Sequence, residues 1–429
     1  MVIGISFGFR ITEFEFIFLY NMSSKCITGL DIGTASVKVV VAEERNGKPV
    51  VRAAFKEQSF GLRKGAIVDL AEASQAVNRA LTEVKKISKA AAKNVYVNIG
   101  TPQVKVQASR GIVAVSRADT EIYQDDVERA VRASQAVNLS PNRTIIHTVT
   151  KEFIVDGVGD IAEPLGLSGS RLEVQSLIID AFSPHVKTVM RVVELAGGEV
   201  AGLVFSPLVA SRAALSKNQK DLGVLLIDIG FGTTGISVYE ENKLVGVAKF
   251  PVGAGNISND LAIGLKIPVA AAENLKLHYG YAIARDVGQK DVVDLKKFFP
   301  EAKGFVQRHF IAEIIESRLA EIFDFVDNEL RIIGRHGKLP GGVVLVGGGS
   351  KMPGITELAK SELKLSSQIG VALDHEWELE GTNNSEFLED PEFVSALGLV
   401  LWGMDGEGWK TKSPFRKFSI KNAIQYFLP

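Results

Sequence analysis

The chain has 429 residues, of which 46% are hydrophobic and 23% are charged, and its formal net charge is −1. This composition is typical of a globular protein large enough for two or three domains, and the balanced charge gives no reason to expect a nucleic-acid partner. The single cysteine, Cys26, excludes a disulfide scaffold and a cysteine-based zinc site and fits a reducing compartment, while the six histidines show no metal-ligand spacing.

The first 21 residues form an apolar and aromatic stretch that Arg10, Glu13 and Glu15 interrupt. This stretch lacks the basic start of a signal peptide and the uninterrupted length of a membrane-spanning helix. Met22 follows directly and opens a more ordinary protein start. We therefore expect residues 1–21 to be an extension that the fold does not need, with a membrane-seeking arm as the alternative.

Two distant stretches, 30–36 and 227–233, repeat one pattern. In each, an apolar strand leads to an Asp, a glycine permits a tight turn, and a hydroxyl residue follows five positions after the Asp. A second apolar, β-branched run comes next, so each copy predicts a hairpin with a polar tip. Such a tip directs backbone N–H groups and a hydroxyl at phosphate oxygens, while the Asp can hold a hydrated Mg²⁺. Two facing tips would clamp the phosphates of a nucleotide.

The second copy also matches the dinucleotide-binding fingerprint at Gly230, Gly232 and Gly235. That fingerprint must open a helix, whereas the residues after Gly235 have the pattern of a strand. The sequence therefore argues against a dinucleotide site, and it contains no Walker-type phosphate loop.

Between the two hairpins, residues 27–107 alternate β-rich segments with a predicted helix at 72–87 and a strand at 95–99. Residues 108–187 have a different sequence pattern, in which short predicted strands flank a helix at 124–137. This pattern predicts a compact α+β insert. Helices are then predicted at 186–195 and 208–215.

The second half opens with a strand at 224–228, and residues 252–256 lead into a helix. The next helix, 271–279, carries Glu273 and Lys276 on one face, where they could contact a ribose and an adenine or form a solvated ion pair. A long helix predicted at 305–333 has one apolar stripe that packs on a core.

A third glycine-rich element lies at 341–355, where a buried strand and the triplet Gly347, Gly348 and Gly349 precede a helix at 355–363. Glycines there let a planar base or a phosphate approach the backbone, although a simple tight turn would look similar. A last packed helix is predicted at 394–401.

After a linker at 406–408, basic and aromatic residues alternate to the end of the chain. The pattern predicts an amphipathic helix that lies in a membrane interface, with docking on the fold as the alternative. The predicted membrane contacts are Trp409, Phe415, Phe418, Ile420, Ile424, Phe427 and Leu428.

The order of these motifs resembles the superfamily of actin, sugar kinases and heat-shock ATPases. More closely, residues 27–402 resemble FtsA, the bacterial actin homologue of cell division, notably at 65–70, 111–116 and 164–169. The last two stretches lie in an insert that FtsA has and actin lacks. The resemblance implies an α/β, actin-like (ribonuclease H-like) two-lobed ATPase fold with an inserted small α+β subdomain in the first lobe.

The implied domains follow that division. They are an extension (1–21), a first lobe core (22–107, 188–214 and 389–405), the insert (108–187), a second lobe core (215–252 and 335–388), a second lobe subdomain (253–334), and a linker with a membrane-targeting helix (406–429).

The resemblance also implies ATP and Mg²⁺ as cofactors, with Asp31 and Asp228 beside the metal. The expected nucleotide-binding residues are Asp31, Gly33, Thr34, Ala35, Ser36, Lys38, Asp228, Gly230, Gly232, Thr233, Thr234, Gly253, Gly255, Asn256, Glu273, Lys276, Gly347, Gly348, Gly349 and Met352. Some relatives orient the attacking water with a Glu just before the Pro that opens the linking helix, and here that position is Ser206. We therefore expect no catalytic residue and at most slow hydrolysis.

By the same resemblance, the protein would polymerise on the cytoplasmic side of the inner membrane at the division septum, as a peripheral protein. It would bind the C-terminal peptide of the tubulin homologue FtsZ, with Arg318 as a candidate contact, and recruit other division proteins. Two alternatives remain at this point. One is the related pilus-assembly protein PilM, which lacks the membrane-binding tail, and the other is a small-molecule kinase of the same superfamily.

Overall fold

The computed structural model of the protein describes residues 26–302, 304–373, 377–380 and 385–405. Its strands are β1 Cys26–Ile32, β2 Ser36–Arg45, β3 Lys48–Gln58, β4 Leu62–Arg63, β5 Ala66–Ile67, β6 Val95–Ile99, β7 Val104–Ala114, β8 Arg143–Val155, β9 Val158–Ile161, β10 Arg171–Phe182, β11 Val200–Phe205, β12 Val224–Ile229, β13 Thr234–Glu240, β14 Lys243–Phe250, β15 Val292–Asp294, β16 Phe305–Gln307, β17 Val343–Val346, β18 Ser367–Ile369 and β19 Glu378–Leu379. Its helices are α1 Leu70–Ile87, α2 Gln124–Ser134, α3 Ser183–Leu195, α4 Ser206–Ala214, α5 Lys217–Leu222, α6 Ala254–Leu265, α7 Val269–Tyr279, α8 Arg308–Ile332, α9 Ile355–Leu363, α10 Glu386–Glu389 and α11 Val394–Met404.

The first lobe is built on a sheet in the order β11-β6-β1-β2-β3-β19. Strand β1 pairs antiparallel with β2 and parallel with β6. Because side chains alternate along a strand, Val39 and Val41 of β2 face helices α1 and α3, while Val40 and Ala42 face α4 and α11. The sheet is therefore covered by helices on both faces.

The second lobe repeats this arrangement in a sheet ordered β14-β13-β12-β17-β18. Strand β12 again pairs antiparallel with its hairpin partner β13 and parallel with β17. Its Leu225 and Ile227 pack toward the helices of the second lobe, whereas Leu226 joins α4 and α11 in a core shared with the first lobe. The two lobes thus share one buried layer.

The segment between β7 and β10 forms a separate antiparallel sheet, β7-β10-β8-β9, with α2 packed on β7 and β10. Its apolar residues Ile146 and Ile179 are buried with Leu208 of the first lobe and with Leu244 and Val247 of the second. This sheet therefore contacts both lobes.

Several predicted boundaries differ from the structure. The long helix begins at Arg308 and not at residue 305, because Phe305–Gln307 pair with Val292–Asp294 as a two-stranded ribbon. The insert helix ends at Ser134, three residues early. Helix α4 begins at Ser206, with Pro207 in its first turn, where the missing proline N–H costs nothing. The predicted apolar stripe of α8 is confirmed. Ile314 is partly buried, and the other members are fully buried: Ile311, Ile315, Leu319, Ile322, Phe323, Val326 and Leu330.

Within the described ranges, no helix is long and apolar enough to cross a membrane. The predicted N-terminal extension and the predicted C-terminal membrane helix, with all of its proposed membrane contacts, lie outside the described residues.

Candidate nucleotide site

The two repeated motifs form two hairpin tips with the same internal hydrogen bond. In the β1–β2 tip, Gly33 N donates to Ser36 O at 3.1 Å, and in the β12–β13 tip, Gly230 N donates to Thr233 O at 2.9 Å. Each tip begins just after the strand that carries its Asp. The hairpins predicted from the repeated pattern are therefore confirmed in structure.

The two tips face each other and touch. A methyl group on Gly232 would lie 2.7 Å from Thr34 Oγ1 and 3.2 Å from Lys64 Cα. Thr34 Oγ1 in turn accepts a hydrogen bond from Gly65 N at 3.1 Å, and a methyl on Gly65 would lie 3.2 Å from Thr233 Cγ2. Only glycines fit at these contacts, so residues from both lobes form one cradle.

A network of charges lies at the first tip. Asp31 accepts a hydrogen bond from Asn98 Nδ2 at 2.6 Å, and its other oxygen lies 3.4 Å from Lys38 Nζ. Ser36 Oγ donates to Glu392 Oε1 at 3.2 Å, and Lys38 Nζ lies 3.9 Å from the same carboxylate. Burial disfavours the Lys38 charge, but Asp31, Glu392 and Asp228 outweigh burial and raise the Lys38 pKa.

The second tip differs in its balance of charges. Burial raises the pKa of Asp228, with Lys249 acting in the opposite sense and Asp31 adding to the rise. Burial would also raise the pKa of Glu392, but Lys38, Lys56 and Lys351 outweigh it and lower that pKa.

Thr234 is fully buried and its hydroxyl donates to Val252 O at 2.9 Å, so this hydroxyl braces the strand end.

Two backbone amides join the second tip to α6. Ala254 N donates to Gly230 O at 2.9 Å and Gly255 N donates to Phe231 O at 2.7 Å. A methyl on Gly253 would lie 2.8 Å from Thr233 N. Asn256 Oδ1 accepts from Gly253 N at 3.1 Å and so caps the helix. These residues hold the tip in place.

Glu273 and Lys276 form a pair that is not a solvated surface pair. Lys276 is 5% exposed, and its Nζ lies 2.6 Å from Glu273 Oε2 and 3.1 Å from both Ala254 O and Ser258 Oγ. Burial lowers the Lys276 pKa, with Glu273 opposing the effect. The lysine therefore ties α7 to the start of α6, and Glu273 remains the more exposed of the two.

The glycine triplet packs directly on the second tip. Gly347 has φ +84°, a conformation that favours glycine, and a Cβ there would collide with Asp228 Oδ1. Gly349 packs against Ile229, whereas Gly348 is open, with the nearest atom to a methyl there being Glu392 Cδ at 3.8 Å. Residues Gly348–Lys351 form a short 3₁₀ turn, and Met352 Sδ lies close to Gly280.

Ser206 lies beside the first tip at the start of the linking helix. It is 3% exposed, and its hydroxyl donates to Ile99 O at 2.9 Å. Asn98 Nδ2 lies 3.5 Å from the same hydroxyl. Ser206 thus belongs to the Asp31–Asn98 network.

Three members of this site were missed from sequence: Asn98, Lys249 and Glu392. Asn98 could have been found, because it is a polar residue near the end of an otherwise largely apolar strand. Lys249 and Glu392 carry no local signal, since their position depends on strand register and on contacts across the lobes.

Arg318 lies away from these tips, on α8, facing α6. Its Nε and Nη2 donate to the two oxygens of Asp260 at 2.6 and 2.9 Å, and its Nη1 contacts Glu321. These contacts raise the Arg318 pKa, the Asp260 hydrogen bonds most.

The donor set suits a nucleotide–Mg²⁺ complex. In the described part of the chain, no group of three or more His, Cys, Asp or Glu side chains is arranged to hold a metal by itself. Asp31 and Asp228 instead offer one carboxylate from each lobe, which suits an octahedral Mg²⁺ that keeps waters and takes phosphate oxygens. The backbone N–H groups and hydroxyls of the two tips suit phosphate oxygens, so these residues are chemically suited to a nucleotide with its Mg²⁺.

Comparison with known proteins supports this reading of the fold. The family description "Cell division protein FtsA" matches residues 225–398, and "SHS2 domain inserted in FTSA" matches residues 102–180. Among solved structures, the PilM-PilN type IV pilus biogenesis complex is similar with a TM-score of 0.62 at 20% identity, covering 88% of this chain and 98% of that one. MreB5 of Spiroplasma citri bound to ADP is similar with a TM-score of 0.52 at 13% identity, covering 90% and 98%. The fold is therefore actin-like with an inserted domain, as the sequence predicted.

Curated relatives match over most of their length. Cell division protein FtsA of Bacillus subtilis is 32% identical over 378 residues, which cover 88% of this chain and 83% of the relative. Cell division protein FtsA of Borreliella burgdorferi is 33% identical over 406 residues, covering 94% and 97%. The chain belongs to the FtsA family of cell division proteins.

Proposed function

We propose that this protein is an ATP-binding, actin-like assembly protein that tethers FtsZ filaments to the inner face of the cytoplasmic membrane. The single observation that carries the nucleotide part is the contact between two hairpin tips, each with its own Asp, at Thr34 and Gly232. ATP with Mg²⁺ would lie there, with the phosphates on the backbone N–H groups and hydroxyls of the tips. Mg²⁺ would neutralise phosphate charge when bound.

The predicted contacts to metal, phosphate and nucleoside have the following roles in this proposal. Asp31 and Asp228 hold the hydrated metal, and Ser36, Thr233 and Lys38 contact phosphates. The nucleoside lies against the Gly347–Gly349 loop, where Gly348 leaves open space beside Glu392. Glu273 contacts the ribose, and Lys276 orients the Glu273 carboxylate through their 2.6 Å ion pair.

Ser206 argues for slow turnover. A water-orienting group at the γ-phosphate is usually a carboxylate or an amide. Ser206 is a weak base, and its hydroxyl already donates to Ile99 O at 2.9 Å. Nucleotide would therefore gate assembly more than it would be consumed.

The tether rests on the subdomain that carries α8 and on the C-terminal segment. Arg318 is a candidate contact for the tail peptide of FtsZ, a carboxylate of which would compete with Asp260 and Glu321 for the guanidinium. Residues 409–428 would lie in the membrane surface by their basic and apolar pattern. Filaments of many copies would then bind membrane far more tightly than one monomer. Recruitment of later division proteins at the septum completes the proposal.

Membership of the FtsA family favours this role over the pilus-assembly alternative, because the likeness to the PilM complex is at 20% identity and concerns the fold alone. The small-molecule kinase alternative needs a catalytic base where the lobes meet, and the residue before Pro207 is a serine.

Fluorescence anisotropy with a labelled FtsZ tail peptide tests the tether. We expect the wild-type protein to bind the peptide, Arg318→Ala to weaken binding, and Arg331→Ala to bind as wild type. Arg331 is the matched control because it lies on the same helix and pairs with Asp327 at 2.8 Å. Failure of the folded wild-type protein to bind the peptide would contradict the tether.

A further inference from the structure

Three strands of the second lobe place a row of residues across the sheet. Asp228 of β12 lies opposite Gly235 of β13, and Gly235 lies opposite Lys249 of β14. Residues directly opposite each other in a sheet project from the same face. Since Gly235 has no side chain, it leaves a notch between the Asp and the Lys.

The Lys249 side chain lies over this notch. Its Nζ is 3.5 Å from the position that a Cβ on Gly235 would occupy. A lysine stem is long enough to cross one strand spacing of about 4.8 Å. The ammonium is thus directed from β14 toward Asp228 and the phosphate cradle.

Lys249 differs from Lys38 in its partners. Lys38 is paired with Asp31 and Glu392, whereas the Lys249 ammonium makes no hydrogen bond and no ion pair within 4 Å among the residues that the structure describes. Burial lowers the Lys249 pKa, while Asp228 and Asp31 act to raise it. The Lys249 side chain is partly exposed and its ammonium has no acceptor in the described part of the chain, whereas a phosphate oxygen would be a strong acceptor for it.

The order of the row indicates which phosphate is involved. The Gly347 loop packs against Asp228 from the β17 side, and the notch lies on the opposite, β13 side. A methyl on Gly235 would lie 2.9 Å from Pro207 Cγ, so the notch also borders the start of the linking helix beside Ser206. A nucleotide with its base at the glycine loop would therefore reach the notch with its last phosphate.

The first lobe has no such notch. Lys38 stands opposite Asp31, at the position that corresponds to Gly235, and Lys56 stands one strand further along. Lys56 is 54% exposed and pairs with Glu392 at 3.3 Å. Each lobe thus directs one lysine at the cradle, by a different route.

We infer that Lys249 crosses the notch at Gly235 to bind the terminal phosphate of ATP, and that this contact lets the protein distinguish ATP from ADP. The inference rests on the proposed nucleotide site and adds a specificity residue to it. Gly235 is part of the device, because a Cβ there would lie 2.9 Å from Pro207 Cγ, and a longer side chain would also compete with Lys249 for the same space.

Calorimetric titration of Mg·ATP and Mg·ADP into wild type, Lys249→Met and Lys243→Met tests this. We expect Lys249→Met to lose about tenfold or more in ATP affinity and less than about threefold in ADP affinity, since a charged hydrogen bond to one phosphate is removed. Lys243→Met is the control, because Lys243 is on the same strand but pairs with Asp160. Its affinities should match wild type.

Thermal unfolding without nucleotide separates this role from a structural one. Lys249→Met should melt at or above the wild-type temperature, because burial disfavours the ammonium more than Asp228 and Asp31 favour it. Unchanged ATP affinity, equal losses for ATP and ADP, or a large fall in melting temperature would each overturn the inference. If wild type itself binds neither nucleotide, the proposed function fails and the inference fails with it, a result distinguishable because it appears without any substitution.

Discussion

Lowering the pH should weaken the attachment of the inserted domain through one half-buried histidine. His147 of β8 accepts a hydrogen bond at Nε2 from Phe205 N at 3.0 Å, and its ring packs edge-on against Trp402 at 5.6 Å. Burial lowers the His147 pKa from 6.5 to about 4. Because Phe205 precedes Ser206, this bond joins the insert to the strand that leads into the candidate nucleotide site.

The direction in which stability changes with pH follows from the lowered pKa of His147. The unfolded chain takes up a proton on His147 below pH 6.5, whereas the folded protein does so only below about pH 4. Stability is therefore fully present above pH 6.5 and is lost as the pH falls through this window. The linkage relation gives a loss of about 2 kcal/mol between pH 8 and pH 5, and about 3 kcal/mol by pH 4.

Urea unfolding at a series of pH values, followed by tryptophan fluorescence, measures this loss. The variant His147→Gln keeps an acceptor for Phe205 N–H but does not titrate, so its stability should fall less than that of wild type between pH 8 and pH 5. His278→Gln is the control, because that ring lies exposed on α7. Parallel pH profiles for wild type and His147→Gln would refute the reasoning.

Three further predictions concern turnover, the insert and the membrane. Because Ser206 replaces a water-orienting carboxylate, purified protein without partners should hydrolyse ATP slowly, and turnover of several per second in a phosphate-release assay would contradict this. A version lacking residues 108–187 should still bind ATP in calorimetry, since no nucleotide motif lies inside the deleted segment. Leu244 and Val247 pack on the insert, so they need polar replacements to keep the shortened protein soluble. Loss of ATP binding in that folded version would contradict the division of the chain into an insert and a separate nucleotide-binding part. Truncation after Gly408 should abolish co-sedimentation with anionic liposomes while leaving ATP binding intact. The variant Phe427→Glu should strongly weaken co-sedimentation, because each buried large apolar side chain contributes about 1.5–3 kcal/mol at full burial. If the truncated protein still pellets with liposomes, the anchor is elsewhere, with residues 1–21 as the first alternative.

The hairpins could be predicted because their signal is local. An apolar run, an Asp, a glycine turn and a second apolar run define strand, tip and strand within about a dozen residues. The repetition of that pattern at Asp31 and Asp228 also predicted two equivalent tips. The start of α8 was placed wrongly, because Phe305–Gln307 become a strand only through pairing with Val292–Asp294, which no local pattern reveals.

Most of the charge network could not be predicted from the sequence. Glu392 lies over 350 positions from Ser36, yet it accepts that hydroxyl's hydrogen bond at 3.2 Å. Lys249 reaches the cradle because Gly235 leaves a gap, and this depends on the register of three strands. The Glu273 and Lys276 pair was found by helical spacing, but its burial depends on Ala254 and Ser258 of another helix.

Calorimetric titration of Mg·ATP into wild type, Asp228→Ala and Asp221→Ala tests the central claim most directly, that a nucleotide lies between the two hairpin tips. Asp221 is the matched control, since it is exposed and accepts a hydrogen bond from Asn242 at 2.8 Å outside the cradle. We predict that wild type and Asp221→Ala bind Mg·ATP alike and that Asp228→Ala loses about tenfold or more in affinity, as expected for removal of a charged ligand. Equal affinity of Asp228→Ala and wild type for Mg·ATP would contradict the account.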